Sequence, residues 1–175
     1  MLARAERLVT SRPAITVPVI ALIWTAVQTW PLVFHLGDSM YGYPGDGSGT
    51  IAYFWWWEYA LHHGKSLLDN TFVGVPLGSG LEVAYYDVIQ VGVFAPLSFL
   101  IGPIAAYNLG VLSSYPLTAW TTYLLGRRVG MGALAAAFAA LAFAFVPYHQ
   151  EKAMVHLMEC LHVPAVGSSS TLATR

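Results

Sequence analysis

The sequence predicts an all-α, polytopic helical membrane protein with three spans and one large outer loop. Of its 175 residues, 57% are hydrophobic and 10% are charged, and the mean hydropathy is +0.58. Soluble domains carry about 25% charged residues, so a chain this apolar is typical of a bilayer protein. The net charge of -1 shows no basic excess that would indicate a nucleic-acid partner. The single cysteine, Cys160, excludes an internal disulfide framework and a multi-cysteine metal site.

The first span is predicted at residues 14–34, a run of 21 residues without a charge. A helix of this length reaches about 30 Å, the thickness of a bilayer core. Three arginines lie within residues 1–13, so the positive-inside rule places this N-terminal segment in the cytoplasm of a cell-membrane protein. A cleaved signal peptide is the alternative. The apolar run is longer than that of a typical signal peptide, however, and no small-x-small cleavage site follows it.

Residues 35–103 are predicted as an outer loop, because the stretch from His35 to Asp87 contains six acidic residues and only one lysine. Glycine- and proline-rich turns flank a juxtamembrane helix near residues 50–63. Neighbouring positions on a helix point about 100° apart, so three consecutive tryptophans cannot all enter one core. We therefore predict that they anchor this helix at the membrane interface. They are Trp55, Trp56 and Trp57.

The uncharged stretch 88–126 admits either a two-span hairpin or an interfacial helix followed by one span. Length favours the second arrangement, because the 14 residues 88–101 reach only about 21 Å. A second juxtamembrane helix is therefore predicted at 88–101 and the second span at 104–126. The arginines that follow place residues 127–130 in a cytoplasmic turn.

The third span is predicted at residues 131–147 as a packing element. Small residues at a spacing of four allow helices to approach closely within lipid, and in this span they are Gly132, Ala136, Ala140 and Ala144. Residues 148–163 form a predicted outer amphipathic segment, in which His149, Lys152, His156 and Glu159 share one face. Residues 164–175 contain no further apolar run, and we expect a disordered or truncated tail.

Three segments in this order resemble the N-terminal part of the GT-C-fold integral membrane glycosyltransferases. They are "PGDGSGTIAYFWWWEYALHHG", "GPIAAYNLGVLSSYPLTAWTTYLLGRRVG" and "LAAAFAALAFAFVPYHQEKAMVHL", and the resemblance covers roughly Trp30 to His162. Members of this family take sugars from polyprenyl-phosphate carriers, and they include protein O-mannosyltransferases and lipid A aminoarabinose transferases. They have more spans than three, so the resemblance implies an N-terminal fragment or a reading frame that ended early, and such a fragment of an enzyme need not be active by itself.

The resemblance implies a catalytic role for Asp46 in the first outer loop, as general base or as ligand of a divalent metal ion. Transfer would invert the sugar, and the partners would be membrane lipids, a polyprenyl-phosphate sugar donor and an unknown acceptor. Asp38 is a possible second acid. Both aspartates also lie in sequences that favour turns for conformational reasons alone.

The histidine-bearing face of residues 148–163 allows two interpretations. His149, Lys152 and His156 either solvate the outer end of a helix or bind the phosphate of the lipid donor, whose charge grows as the sugar leaves. The histidines are spaced by seven and six residues, which does not predict a metal site.

A non-enzymatic membrane scaffold or a transporter subunit is the alternative function. Neither explains an outer loop of this length, which in a compact protein is usually functional. A transporter is also expected to place ionisable groups within its spans, and the three predicted spans contain none.

Overall fold

The computed structural model describes residues 13–76 and 90–155. In chain order, these ranges form α1 Pro13–Gln28, a 3₁₀ helix Leu32–Phe34, α2 Asp46–His63, a π-helical turn Gln90–Phe94, α3 Ala95–Ile101, α4 Pro103–Arg128, α5 Ala133–Ala144 and α6 Pro147–Val155. No β-strand occurs in them, which confirms the all-α fold class. The predictions for residues 1–12, for the start of the 88–101 helix and for residues 156–175 fall outside the described ranges.

Among the described residues, one helical stretch is long and apolar enough to cross a membrane, whereas the sequence predicted three. This stretch is Ala133–Met154, which covers α5 and most of α6. Helix α1 has 16 described residues, fewer than the roughly 20 that a span requires. Helix α4 is long enough with 26 residues, but its many polar side chains lower its hydropathy. They include Asn108, Ser113, Ser114, Thr118, Thr121 and Thr122.

The chain divides into two compact units. Described residues 13–25 and 114–146 belong to the first unit, and described residues 26–76, 90–113 and 147–155 belong to the second. The candidate functional residues that the structure describes all belong to the second unit. The first contains all of α5 and most of α1.

The first unit has a core of small side chains and an apolar exterior. Its buried cluster comprises Val17, Ala21, Ala119, Tyr123, Ala136, Ala137, Ala140 and Ala144. Three of the four residues of the predicted small-residue ladder are thus fully buried, while Gly132 is exposed. Large apolar side chains lie outside: Ile23 is 61% exposed and Phe138 is 76% exposed.

In the second unit, α2 begins at Asp46, four residues before the predicted start near residue 50. The sequence interpretation treated the glycines around Asp46 as loop. Ser48 explains the earlier start, because its hydroxyl oxygen accepts the Gly45 N–H (3.1 Å) and its hydroxyl donates to the Gly45 carbonyl (2.7 Å). Such a side-chain cap satisfies groups that a helix start otherwise leaves unpaired.

The three tryptophans on α2 have different surroundings. Trp56 is 1% exposed and its ring centre lies 5.7 Å from those of both Tyr59 and Phe72. Trp56 therefore lies in the protein interior, which corrects the prediction of a membrane anchor at this position. Trp55 is 45% exposed and Trp57 is half-buried, so anchoring at the membrane stays a prediction for these two residues.

Candidate functional site

The loop between the 3₁₀ helix and α2 is held by one buried amide from α4. Asn108 is fully buried, and its Nδ2 donates to the carbonyls of Leu36 (2.8 Å) and Ser39 (2.7 Å). Its Oδ1 accepts the backbone N–H of Tyr41 (2.9 Å). The neighbouring Tyr107 hydroxyl donates to the Tyr41 carbonyl (3.3 Å). Three loop residues are thus fixed by a single side chain, with support from its neighbour.

The same loop is tied to α6 by its backbone. The N–H of Tyr43 donates to the carbonyl of Met154 at 3.0 Å. Gly42 has a φ of 89°, and a Cβ at this position would collide with the Met154 carbonyl. Only glycine therefore fits, both for its left-handed conformation and for the close approach of two backbones. This contact brings the segment before Asp46 next to the helix that carries Lys152.

A cleft of about 250 Å³ lies between the end of α1 and this loop. Its wall includes Thr29, Leu32, His35, Ser39, Met40 and Gly42. In the part of the chain that the structure describes, the polar groups of the wall are hydroxyls, backbone groups and one imidazole, without a lysine or an arginine. The site can therefore accept a small molecule that has both polar and apolar surfaces.

His35 and Asp38 form a pair at the rim of the cleft, with 3.2 Å between Nδ1 and Oδ2. The His35 carbonyl closes the turn between them by accepting the N–H groups of Asp38 (3.3 Å) and Ser39 (3.0 Å). The hydrogen bond from His35 lowers the pKa of the Asp38 carboxyl below its ordinary value, with a further contribution from the Ser39 side chain. Because a carboxylate can only accept, the hydrogen lies on Nδ1.

We predict that His35→Leu raises the pKa of Asp38 towards its ordinary value, because the ring that favours the carboxylate is removed. The folded-state pKa is depressed, so the stabilisation by this pair is present above the unfolded-state pKa and is lost as the pH falls through the folded-state value. An NMR titration of carboxyl carbons in the labelled chain measures the change, and His63→Leu is the control. An unchanged Asp38 titration in His35→Leu would contradict the assignment.

Asp46 does not line the cleft. It lies in the first turn of α2 with its side chain exposed, and its backbone carbonyl accepts the Thr50 hydroxyl at 3.3 Å. A solvent-accessible carboxylate at the start of a helix can be reached by a substrate. An acidic residue in the first turn also has the ordinary structural benefit of facing the helix N-terminus.

The residues predicted to bind phosphate are not equally accessible. His149 is 8% exposed and is therefore buried within the second unit, which corrects its predicted position on a solvated polar face. Lys152 is half-buried, and its Nζ lies 5.5 Å from the centre of the Tyr148 ring. His156 falls outside the described residues. Lys152 is thus the described member of this set that retains accessible surface.

The divalent metal ion that the resemblance allows at Asp46 stays a prediction. In ranges 13–76 and 90–155, no three histidine, cysteine, aspartate or glutamate side chains are grouped closely enough to hold a metal ion by themselves. A Mg²⁺ ion, however, is often held by one or two carboxylates together with waters and the phosphates of its substrate.

The sequence interpretation missed His35 and Asn108. A histidine three residues before an aspartate in the turn "HLGD" was a usable signal, because this spacing allows a side-chain pair across one turn. Asn108 gave no such signal, since one amide within a helix does not show which carbonyls it meets.

Comparison of the chain with protein-family models, curated proteins and solved structures gave no match.

Proposed function

We propose that the chain is part of a membrane glycosyltransferase that moves a sugar from a polyprenyl-phosphate carrier to an acceptor on the extracytoplasmic side, with inversion and with Asp46 as general base. The observation that carries this proposal is the position of Asp46, exposed at the start of α2 and directly after a loop that Asn108 and Met154 hold in place. A fixed and accessible carboxylate is what general-base catalysis requires.

The burial pattern of the first unit supports membrane embedding. In a bilayer there is no hydrophobic driving force to bury large apolar side chains, because the lipid tails are themselves apolar. Helices therefore pack against each other through small residues. The first unit buries alanines and exposes Leu134 and Phe138. In water, such a continuous apolar exterior would favour association or aggregation.

We further propose that α1 and α4 cross the membrane together with the α5 part of Ala133–Met154, whose α6 part emerges on the outer side. The low hydropathy of α4 does not oppose this arrangement, because its polar residues Asn108, Ser114 and Thr118 are at most 1% exposed and therefore do not face lipid. Buried polar groups in membrane helices are tolerated when they contact protein. Trp24 on α1, by contrast, is 53% exposed, as a lipid-facing residue would be.

The tie between the Asp46 loop and α6 supports a shared site. The hydrogen bond from Tyr43 to Met154 joins the segments that carry Asp46 and Lys152. In the proposed reaction, the acceptor hydroxyl passes its proton to Asp46 while its oxygen bonds to the anomeric carbon. The bond from that carbon to the phosphate oxygen breaks, and the phosphate leaves with the electron pair. A lysine ammonium near the leaving phosphate would stabilise its growing charge.

The topology can be tested with cysteines introduced at exposed positions in a Cys160→Ser background. We expect an impermeant maleimide to label Lys65→Cys and Glu151→Cys from the outside, because both belong to the proposed outer side. Arg128→Cys should react only after permeabilisation. Arg128 is chosen for this substitution because Nη1 of the neighbouring Arg127 donates a hydrogen bond to the Met131 carbonyl. Outside labelling of position 128, or none at 151, would contradict the proposed orientation.

Donor recognition can be tested with polyprenyl phosphate itself, which all such donors share. In lipid nanodiscs we expect Lys152→Gln to weaken binding about tenfold, the effect of losing roughly 1.4 kcal/mol from a charge-assisted contact. Lys65→Gln is the matched control, since Lys65 is an exposed lysine of the same unit. Equal affinities for wild type and Lys152→Gln would remove Lys152 from the site.

A further inference from the structure

His35 contributes a hydrogen-bond acceptor to the cleft. Its Nδ1 is engaged by the Asp38 carboxylate, while Nε2 has no hydrogen-bond partner among the described residues. A neutral imidazole whose Nδ1 carries the hydrogen has its lone pair on Nε2. The carboxylate therefore fixes both the tautomer and the orientation of the ring, as it does in enzymes that pair aspartate with histidine.

The charges around the cleft select against an anionic ligand. Among the described residues, no lysine or arginine lines the wall, and the Asp38 carboxylate lies 3.2 Å from Nδ1 of the lining residue His35. An anion would therefore meet a like charge without a counter-charge. Ser39 and Thr29 add hydroxyl groups, whereas Leu32 and Met40 add apolar surface. This combination suits a neutral molecule with hydroxyl groups on one edge and C–H groups on another.

The wall of the cleft is pre-formed. Asn108 holds the backbone of Leu36, Ser39 and Tyr41 by three hydrogen bonds. The volume of about 250 Å³ is slightly below the roughly 300 Å³ at which ligand pockets begin, so the cleft fits a small molecule or one end of a larger one. A rigid wall lowers the entropy lost on binding.

We propose that this cleft binds a neutral, hydroxyl-bearing molecule such as a sugar, and that His35 Nε2 accepts a hydrogen bond from one of its hydroxyl groups. The assignment of that molecule as the acceptor of glycosyl transfer rests on the function proposed above. Asp46 does not line the cleft, so the cleft would hold one end of the acceptor while the reacting hydroxyl lies outside it, within reach of Asp46 as base. His35 and Asp38 thus act in binding, Asp38 as a positioning residue through the imidazole.

The test is an NMR titration of the complete chain, labelled with ¹⁵N at its six histidines and held in lipid nanodiscs. Glycerol and methyl α-mannopyranoside are the neutral probes, and inorganic phosphate is the anionic probe. The His35 signals are identified by their loss in His35→Gln, a variant that keeps the backbone hydrogen bonds of the turn. We expect either neutral probe to shift the Nε2 signal of His35, and phosphate to leave it unchanged.

Asp38→Asn should weaken that binding about tenfold, because the ring loses its orienting carboxylate. His63→Gln is the control, since this exposed histidine bonds to the Tyr59 carbonyl and not to the cleft. The proposal would be overturned if the Nε2 signal of His35 shifted with phosphate only, or if none of the three probes shifted it. Wild-type glycoside affinity in His35→Gln would also overturn it. Glycoside binding together with wild-type transfer rates in Asp46→Asn would overturn the proposed function alone, whereas Asp46-dependent transfer with an unmoved His35 signal would overturn only the cleft.

Discussion

Replacing Asn108 with leucine should lower the free energy of unfolding by about 3 kcal/mol, because three hydrogen-bonding groups lose their partner at roughly 1 kcal/mol or more each. The groups are the carbonyls of Leu36 and Ser39 and the N–H of Tyr41. Leucine fills nearly the same volume, so the loss reflects hydrogen bonds and not a cavity. Asn108→Asp should be comparably harmful, since a carboxylate cannot donate to the two carbonyls.

Unfolding of the purified chain in mixed detergent micelles, followed by circular dichroism and by proteolysis within residues 36–41, measures this effect. Leu109→Ala is the control, because Leu109 is the next residue on α4 and is 36% exposed. We expect the control to cost less than about 1 kcal/mol, as surface substitutions usually do. An Asn108→Leu chain with wild-type stability and a protected loop would show that this amide does not hold the loop.

The helical fold could be predicted because it follows from local patterns. Uncharged runs and their flanking glycines, prolines and arginines located helices close to α4 and α5, within a few residues. The start of α2 was misplaced, because three glycines suggested a loop and the Ser48 cap could not be weighed against them. The first predicted span continued to residue 34, whereas α1 ends at Gln28 before a turn and a separate 3₁₀ helix.

Which side of a helix faces the interior could not be predicted at the site. The segment with His149 and Lys152 is amphipathic in sequence, and both residues lie on its polar face. Tertiary packing nevertheless buries His149. Likewise, Trp56 is buried against Phe72, which is distant in sequence. These contacts depend on how separate segments meet, and local sequence patterns do not show which segments will meet. The cleft beside His35 arises in the same way, from a loop held by a residue over 60 positions away.

Asp46→Asn should reduce sugar transfer by about 100-fold or more, the range expected when a general base is lost. Asparagine has nearly the same shape and also favours turns and helix starts, so the fold around residue 46 should not change. Binding of polyprenyl phosphate should change little, because the proposed contact with the phosphate comes from Lys152. A purely structural Asp46 predicts the opposite result, nearly full activity with asparagine.

The most direct measurement is the initial rate of transfer from a mixture of radiolabelled polyprenyl-phosphate sugars, in membranes that contain wild type, Asp46→Asn or Asp69→Asn at equal amounts. Asp69 is a matched control, because it is an exposed aspartate in the same unit. We predict transfer by wild type and Asp69→Asn, with Asp46→Asn slower by about two orders of magnitude. Wild-type transfer rates in Asp46→Asn would contradict the proposed function.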